Sequence, residues 1–245
     1  MEFSTLGVVA LAALAAGLVQ GLAGFGSALV AVPILALALP ADTLVPLMVL
    51  LSIFITGFNL ISLRHAVSVA PVLPLLLGYL FGTPLGLLFL TRAPEAVVLG
   101  SLGLFISGYA LLTLVGRQPK APWLRQQAGV IGVFSGALGA AFSTNGPPVL
   151  LHVAAHTDWN ADRRKAVLTL FFFCASAITI AAHGMSGLIT GEVLHWLGWG
   201  LPSLIVGSLT GIFLYRRLGE HDYRRLTLVI ILGAGLLLIG RALPM

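Results

Sequence analysis

Charge is what this sequence has least of. Its 245 residues hold 13 Lys+Arg and 8 Asp+Glu, 9% of the chain, where a soluble domain carries roughly 25%. That scarcity excludes a soluble fold, a disordered chain and a nucleic-acid binder. Cysteine occurs once, at Cys174, which excludes an intrachain disulfide and a cysteine-based metal cluster. Acidic residues are missing from the apolar interior: Glu2, Asp42, Glu95, Asp158, Asp162, Glu192, Glu220 and Asp222 all lie at the ends of uncharged runs. Carboxylates inside a membrane carry protons or bind cations in pumps. Their absence speaks against cation transport and against a carboxylate proton relay, and it suits an anion path. The start, Met1-Glu2-Phe3-Ser4, lacks the positive region of a signal peptide, so the chain is read as mature from residue 1.

What the sequence does have is long apolar runs. Those at 43–63, 66–91, 96–116, 166–191, 193–215 and 226–240 are of helix length, near the roughly 20 residues that cross about 30 Å of hydrocarbon. The chain therefore reads as an all-α polytopic membrane protein. Two further runs, 3–41 and 126–157, are too long for one helix each. Both contain helix breakers: Gly24-Phe25-Gly26 in the first, Ser143-Thr144-Asn145-Gly146-Pro147-Pro148 in the second. Each is expected to be a pair of short helices around a non-helical tip.

The long runs head an internal repeat. A shift of 115 superposes Gly17, Gly21, Gly24 and Pro33 on Gly132, Gly136, Gly139 and Pro148, and a shift of 125 superposes Gly82, Gly86, Arg92 and Gly108 on Gly207, Gly211, Arg217 and Gly233. Residues 1–116 form the first repeat, 117–125 a linker and 126–245 the second repeat, all within one membrane domain. If each long run is a hairpin that returns to its own side, 11 of the 13 basic residues gather on one face of the membrane. If each crosses once, the split is 8 to 5. The positive-inside rule favours hairpins, inverted repeats, a cytoplasmic 117–125 and two periplasmic termini. Inverted repeats with matched helix breaks are the pattern of secondary transporters, whose solute sits near the midplane between broken helices.

At these same residues the chain resembles the sulfite exporter TauE/SafE family, also called the toluene sulfonate uptake permease family. The resemblance rests on Gly17-x3-Gly21-x2-Gly24-Phe25-Gly26 with Pro33, on the copy Gly132-x3-Gly136-x2-Gly139 with Pro148, and on the late Gly-x3-Gly pairs. It implies a carrier in the bacterial inner membrane for sulfite, an organosulfonate or a related small sulfur-containing anion, most simply an exporter working by alternating access. The competing readings are a channel-like anion conduit, an intramembrane enzyme and a non-transporting scaffold subunit. An enzyme would need an oriented nucleophile or a metal cluster, and the sequence offers Ser143 or Cys174 with His152 but no carboxylate beside them.

The candidate site follows from anion chemistry. A small oxyanion in a low-dielectric site needs hydrogen-bond donors, and backbone N–H groups at a helix start supply them without a permanent charge. Gly24, Phe25, Gly26 and Ser27 at one tip, and Ser143, Thr144, Asn145 and Gly146 at the other, are the expected substrate-binding residues. Asn59 and Cys174, superposed by the 115 shift, are added as flanking positions. Arg64, Arg163, Arg164 and Lys165 are expected to steer anions electrostatically. His152 and His156 share a helix face but lack a third ligand, so no metal or cofactor is assigned. The partners are the anion and the lipid bilayer; the oligomeric state stays open.

Overall fold

A computed structural model describes residues 2–62, 65, 67–115 and 122–215, together with seven positions between 232 and 240. The described residues are helical with no strand. The order is α1 (Glu2–Ala23), α2 (Ser27–Leu35), α3 (Ala41–Ser62), α4 (Leu73–Arg92), α5 (Glu95–Leu114), a 3-10 turn (Pro122–Gln126), α6 (Ala128–Phe142), α7 (Gly146–Ala155), α8 (Ala161–Met185) and α9 (Gly191–Tyr215). Six of these, α1, α3, α4, α5, α8 and α9, are long and apolar enough to cross a membrane. The protein is a multi-pass membrane protein. Run 226–240 lies mostly outside the described residues, as do loop 216–225 and most of the linker. Of the positions described there, Gly235 sits against Gly103 and Ser107 of α5.

The helix breaks fall where the glycines and prolines placed them, with one correction. The second long run is two short helices of 15 and 10 residues. The first is not: α1 has 22 residues, the length of an ordinary span, and only α2, at 9, is short. Nothing before Gly24 stops a helix: Gly7, Gly17 and Gly21 lie in helical backbone, and at Gly17 and Gly21 the missing side chain serves packing.

Two helix pairs dominate the packing, α1 on α9 and α4 on α6. Both depend on glycine. A methyl on Gly17 would run into the Leu204 carbonyl oxygen, and one on Gly207 into that of Leu14; a methyl on Gly132 would meet Leu75, and one on Gly78 would meet Gly129. Small residues let backbones touch where the bilayer supplies no hydrophobic drive for association. Opposite its glycine face, α4 exposes Leu77, Phe81, Leu85 and Leu88, a stripe fit for lipid tails.

These contacts also give the repeat a register. The partners of Gly17 and Gly21 in α9 are Leu204, Ser208 and Ile212; those of Gly132 and Gly136 in α4 are Leu75, Tyr79 and Thr83. The 115 shift holds between α1 and α6, but α4 and α9 correspond with a shift of 129, not 125. Gly78 is the counterpart of Gly207, and Gly82 of Gly211. The sequence could not fix this, because Gly78, Gly82 and Gly86 repeat every four residues and a two-glycine match slides by one turn. The early helix α1 thus packs on the late α9, and α6 on the earlier α4. The members of each pair run in the same direction, since Leu14 and Leu18 meet Gly207 and Gly211 in that order.

Candidate functional site

The two helix breaks meet. One cavity of about 50 Å³ is lined by both tips and by three long helices: Gln20, Phe25, Gly26, Ser27, Ala28 and Leu29 from the first hairpin, Gly139 and Ser143–Pro147 from the second, Val49, Ser52 and Thr56 from α3, Tyr79 from α4, and Phe172, Ser176 and Thr179 from α8. No charged side chain is among them. One water needs roughly 10–15 Å³ of such space, so the cavity has room for a small solute.

Each tip is held by a different device. In the first, Gly24 and Gly26 take positive φ of 76° and 89°, a backbone that side chains resist. Gln20 closes the turn: its backbone oxygen accepts from Gly24 N–H at 2.8 Å, and its amide donates to the Gly24 oxygen at 3.0 Å. Phe25 reaches across and packs on the cluster formed by α4, α7 and α8. In the second tip Ser143 takes the left-handed conformation, φ 56°, where glycine is usual. Its N–H reaches the Gly139 oxygen at 2.9 Å and the Thr144 N–H reaches that of Leu138 at 3.4 Å, tying off the end of α6. Tyr79, 1% exposed, supports this turn from α4. Its hydroxyl lies 2.7 Å from Thr179 Oγ1, receives the Asn145 amide at 3.5 Å, and occupies the space a side chain at Gly139 would need.

The available donors follow. The first turn of α2 leaves the N–H groups of Ser27, Ala28 and Leu29 without partners inside the helix. In α7, Pro147 and Pro148 have no N–H, so that helix start offers little more than Gly146. Side chains take over there. The hydroxyls of Ser143 and, on α8, of Ser176 have no hydrogen-bond partner among the described residues, and Asn145 keeps a second amide hydrogen. Thr144 is committed, its hydroxyl donating to the Phe142 oxygen at 3.1 Å. Ser52 and Thr56 donate to their own helix, to the Met48 and Ser52 oxygens at 2.8 Å each. A neutral concavity edged by helix-start N–H groups, serine hydroxyls and an amide is suited to hold a small anion.

The family model of the sulfite exporter TauE/SafE matches residues 9–238. The chain belongs to the TauE/SafE family. No curated protein and no solved structure matches it. TauE/SafE proteins form a transporter family named for sulfite, so the cavity lies in a membrane transporter of sulfite or related compounds.

Most of the residues expected at the TauE/SafE site come together. Phe25, Gly26, Ser27, Ser143, Thr144, Asn145 and Gly146 all line the cavity, and Gly24 adjoins it. Asn59 and Cys174 lie outside the lining. The reason is register: α3 opens on Ala41-Asp42 and α8 on Ala161-Asp162, an offset of 120. At that offset Thr56 pairs with Ser176, and both line the cavity. Gln20, Tyr79 and Thr179 were not anticipated; the first gave only a weak signal, as a lone amide in an apolar helix. Arg163, Arg164 and Lys165 open α8, roughly 10–14 Å along it from Phe172. Arg64 lies outside the described residues.

The start and end of the second run are joined. His152 Nδ1 donates to the Leu124 oxygen at 2.8 Å, and Arg125 pairs with Asp158 at 2.6 Å. Beside this junction His156 stacks on Trp159, with Arg163 over the same ring at 4.9 Å. Burial holds the His156 imidazole below its usual pKa, aided by His152, Arg125 and Arg163 and opposed by Asp158. Among the described residues no three potential ligands gather as a metal centre.

Proposed function

We propose that this protein is a carrier that moves sulfite or a short organosulfonate out of a bacterial cell across the inner membrane, by alternating access between two inverted repeats. The meeting of both helix breaks at one small, neutral, donor-lined cavity is the observation that carries this reading. Solutes of secondary transporters are held by broken helices of two repeats near the midplane, and binding there needs little reorganisation when packed hairpins fix the donors. The substrate residues are Phe25, Gly26, Ser27, Ser143, Asn145 and Gly146, with Ser176 added and Thr144 keeping the turn. Inversion is supported by the His152–Leu124 and Arg125–Asp158 bonds, which tie the second run's exit to its start. If the first run is its equivalent, three crossings lie between them, and three is odd. Both termini then face the periplasm, and Arg163, Arg164 and Lys165 enrich anions at the cytoplasmic mouth.

The test is flux in liposomes of the purified protein, with sulfite, a short sulfonate and a neutral analogue of equal size. Both anions should pass and the neutral compound should not; equal passage of all three would defeat the anion reading. Reporter fusions at the C-terminus and within 117–125 should disagree about side. Agreement would defeat the inversion.

A further inference from the structure

One titratable side chain buried in a membrane-spanning helix has no part in the site so far. On α8, Phe172, Ser176, Thr179 and His183 follow one another at helical spacing along a single face. The first three line the cavity; His183, next in line, is 0% exposed. Its Nε2 lies 3.0 Å from the backbone oxygen of Ala140. A carbonyl can only accept, so Nε2 carries the hydrogen. Nδ1 is buried with no hydrogen-bond partner among the described residues. A bare buried acceptor is costly to keep and points to something that is bound there at times.

The surroundings say what. Ala140 belongs to the last turn of α6, whose helical bonding stops at Ser143, so the ring caps the negative end of that half-helix. The titratable groups on the elements packed against α8 are few. They are Asp42 at the exposed start of α3, Tyr79 and the exposed Arg92 on α4, and His152 on α7, which is bonded to Leu124. α6 has none, and on α8 itself Asp162, Arg163, Arg164 and Lys165 lie at the far end and Cys174 more than two turns away. Among the described residues no carboxylate is placed to take a proton beside the cavity, and His183 stands one turn, about 6 Å, beyond Thr179.

We propose that Nδ1 of His183 is a proton-binding site coupled to the anion cavity, so that an anion and a proton are bound and carried together. The inference rests on the anion-carrier reading above. A proton from water added to Nδ1 makes an imidazolium at the negative end of α6 and one turn beyond the cavity lining, with no bond broken in the anion. Anion and proton then favour each other's binding, reciprocally. Among the described residues no carboxylate lines the cavity, and His183 is the buried titratable group in line with it on α8.

The experiment uses the full protein in liposomes, with methanesulfonate as the anion because it holds no proton in this range, and a pH dye inside. For the wild type, methanesulfonate flux should carry about one proton per anion and rise as pH falls, by up to about tenfold per unit. His183→Gln keeps an amide to donate to the Ala140 oxygen but cannot titrate. Its anion flux should carry no proton signal and stay at every pH near the low level that the wild type shows at high pH, without the slope. Anion flux without proton movement in the wild type would overturn the proposal, as would an unchanged slope in His183→Gln. Should that variant fail to fold, calorimetry of methanesulfonate binding to the wild type in two buffers of different ionisation heat decides: equal heats overturn it. No anion flux at any pH would overturn the carrier reading, and this site with it.

Discussion

Tyr79 and Gly139 offer a direct trial of the idea that the second tip is held from α4. A methyl group on Gly139 would overlap the Tyr79 hydroxyl, lie 2.9 Å from Cζ and approach Asn145 Cβ to 3.2 Å. The neighbours are a rigid ring 1% exposed and a residue of the tip itself, so neither gives way easily. Gly139→Ala should destabilise the protein by about 1–3 kcal/mol. Tyr79→Phe leaves Thr179 Oγ1 without its partner at 2.7 Å and frees the Asn145 amide, a loss of about 1–2 kcal/mol. Together the two changes should cost less than their sum, because the new methyl takes the room of the departed oxygen. The coupling should be about 1 kcal/mol, partial because Cζ remains close. Thermal unfolding in detergent reads the stabilities, and flux per folded molecule reads the site. Flux should fall in Tyr79→Phe as Asn145 loses its anchor. Strict additivity in the cycle, or a neutral Gly139→Ala, would refute the contact.

Two other substitutions test the donors and the repeat. Asn145→Leu should cut anion affinity roughly 10- to 100-fold, the loss of about 1.5–3 kcal/mol from a charge-assisted bond, with unfolding temperature little changed; an unstable protein with normal flux per folded molecule would count against the site. Gly82→Ala and Gly211→Ala, equivalent under the 129 register, should each destabilise by about 1–3 kcal/mol, whereas Gly7→Ala and Gly108→Ala, which have open space around them, should not; equal tolerance across all four would remove the glycine packing as an explanation.

Much of this was legible before any coordinates, for identifiable reasons. Charge scarcity and run length define the membrane class because the bilayer sets both. Glycine and proline mark the tips because they act locally on the backbone. What escaped was set by tertiary packing. Tyr79 and Thr179 are 100 residues apart and neither stands in any pattern. Asn59 and Cys174 stand 115 apart, an offset that fits α1 and α6 but has grown to 119 at the starts of α2 and α7 and to 120 at those of α3 and α8. The expectation of two short helices fails at α1 because the break at Gly24–Gly26 falls late in its run and leaves 22 residues before it. His183 looks like any polar residue in an apolar run until its bare Nδ1 is seen.

The halves are alike in packing and unlike in chemistry, and the prolines explain why. At the first tip two glycines of positive φ bring the backbone itself to the cavity, and α2 offers its own N–H groups beside Ser27. At the second, Pro147 and Pro148 start α7 with the φ a helix needs but without donors. Ser143, Asn145 and Ser176 stand where backbone would have served. The support is equally uneven. Tyr79 fills the space at Gly139, whereas its counterpart in the 129 register is Ser208, and Gly24, the counterpart of Gly139, has nothing within 4 Å of its missing side chain. One tip is braced and depends on its side chains; the other is closed by Gln20 and reaches the opposite core through Phe25 alone. Under the carrier reading proposed above, a solute held between them is gripped by a fixed wall and a less supported one. Alternating access needs an element with room to move against one that stays, and the first tip is the one this packing leaves room to move.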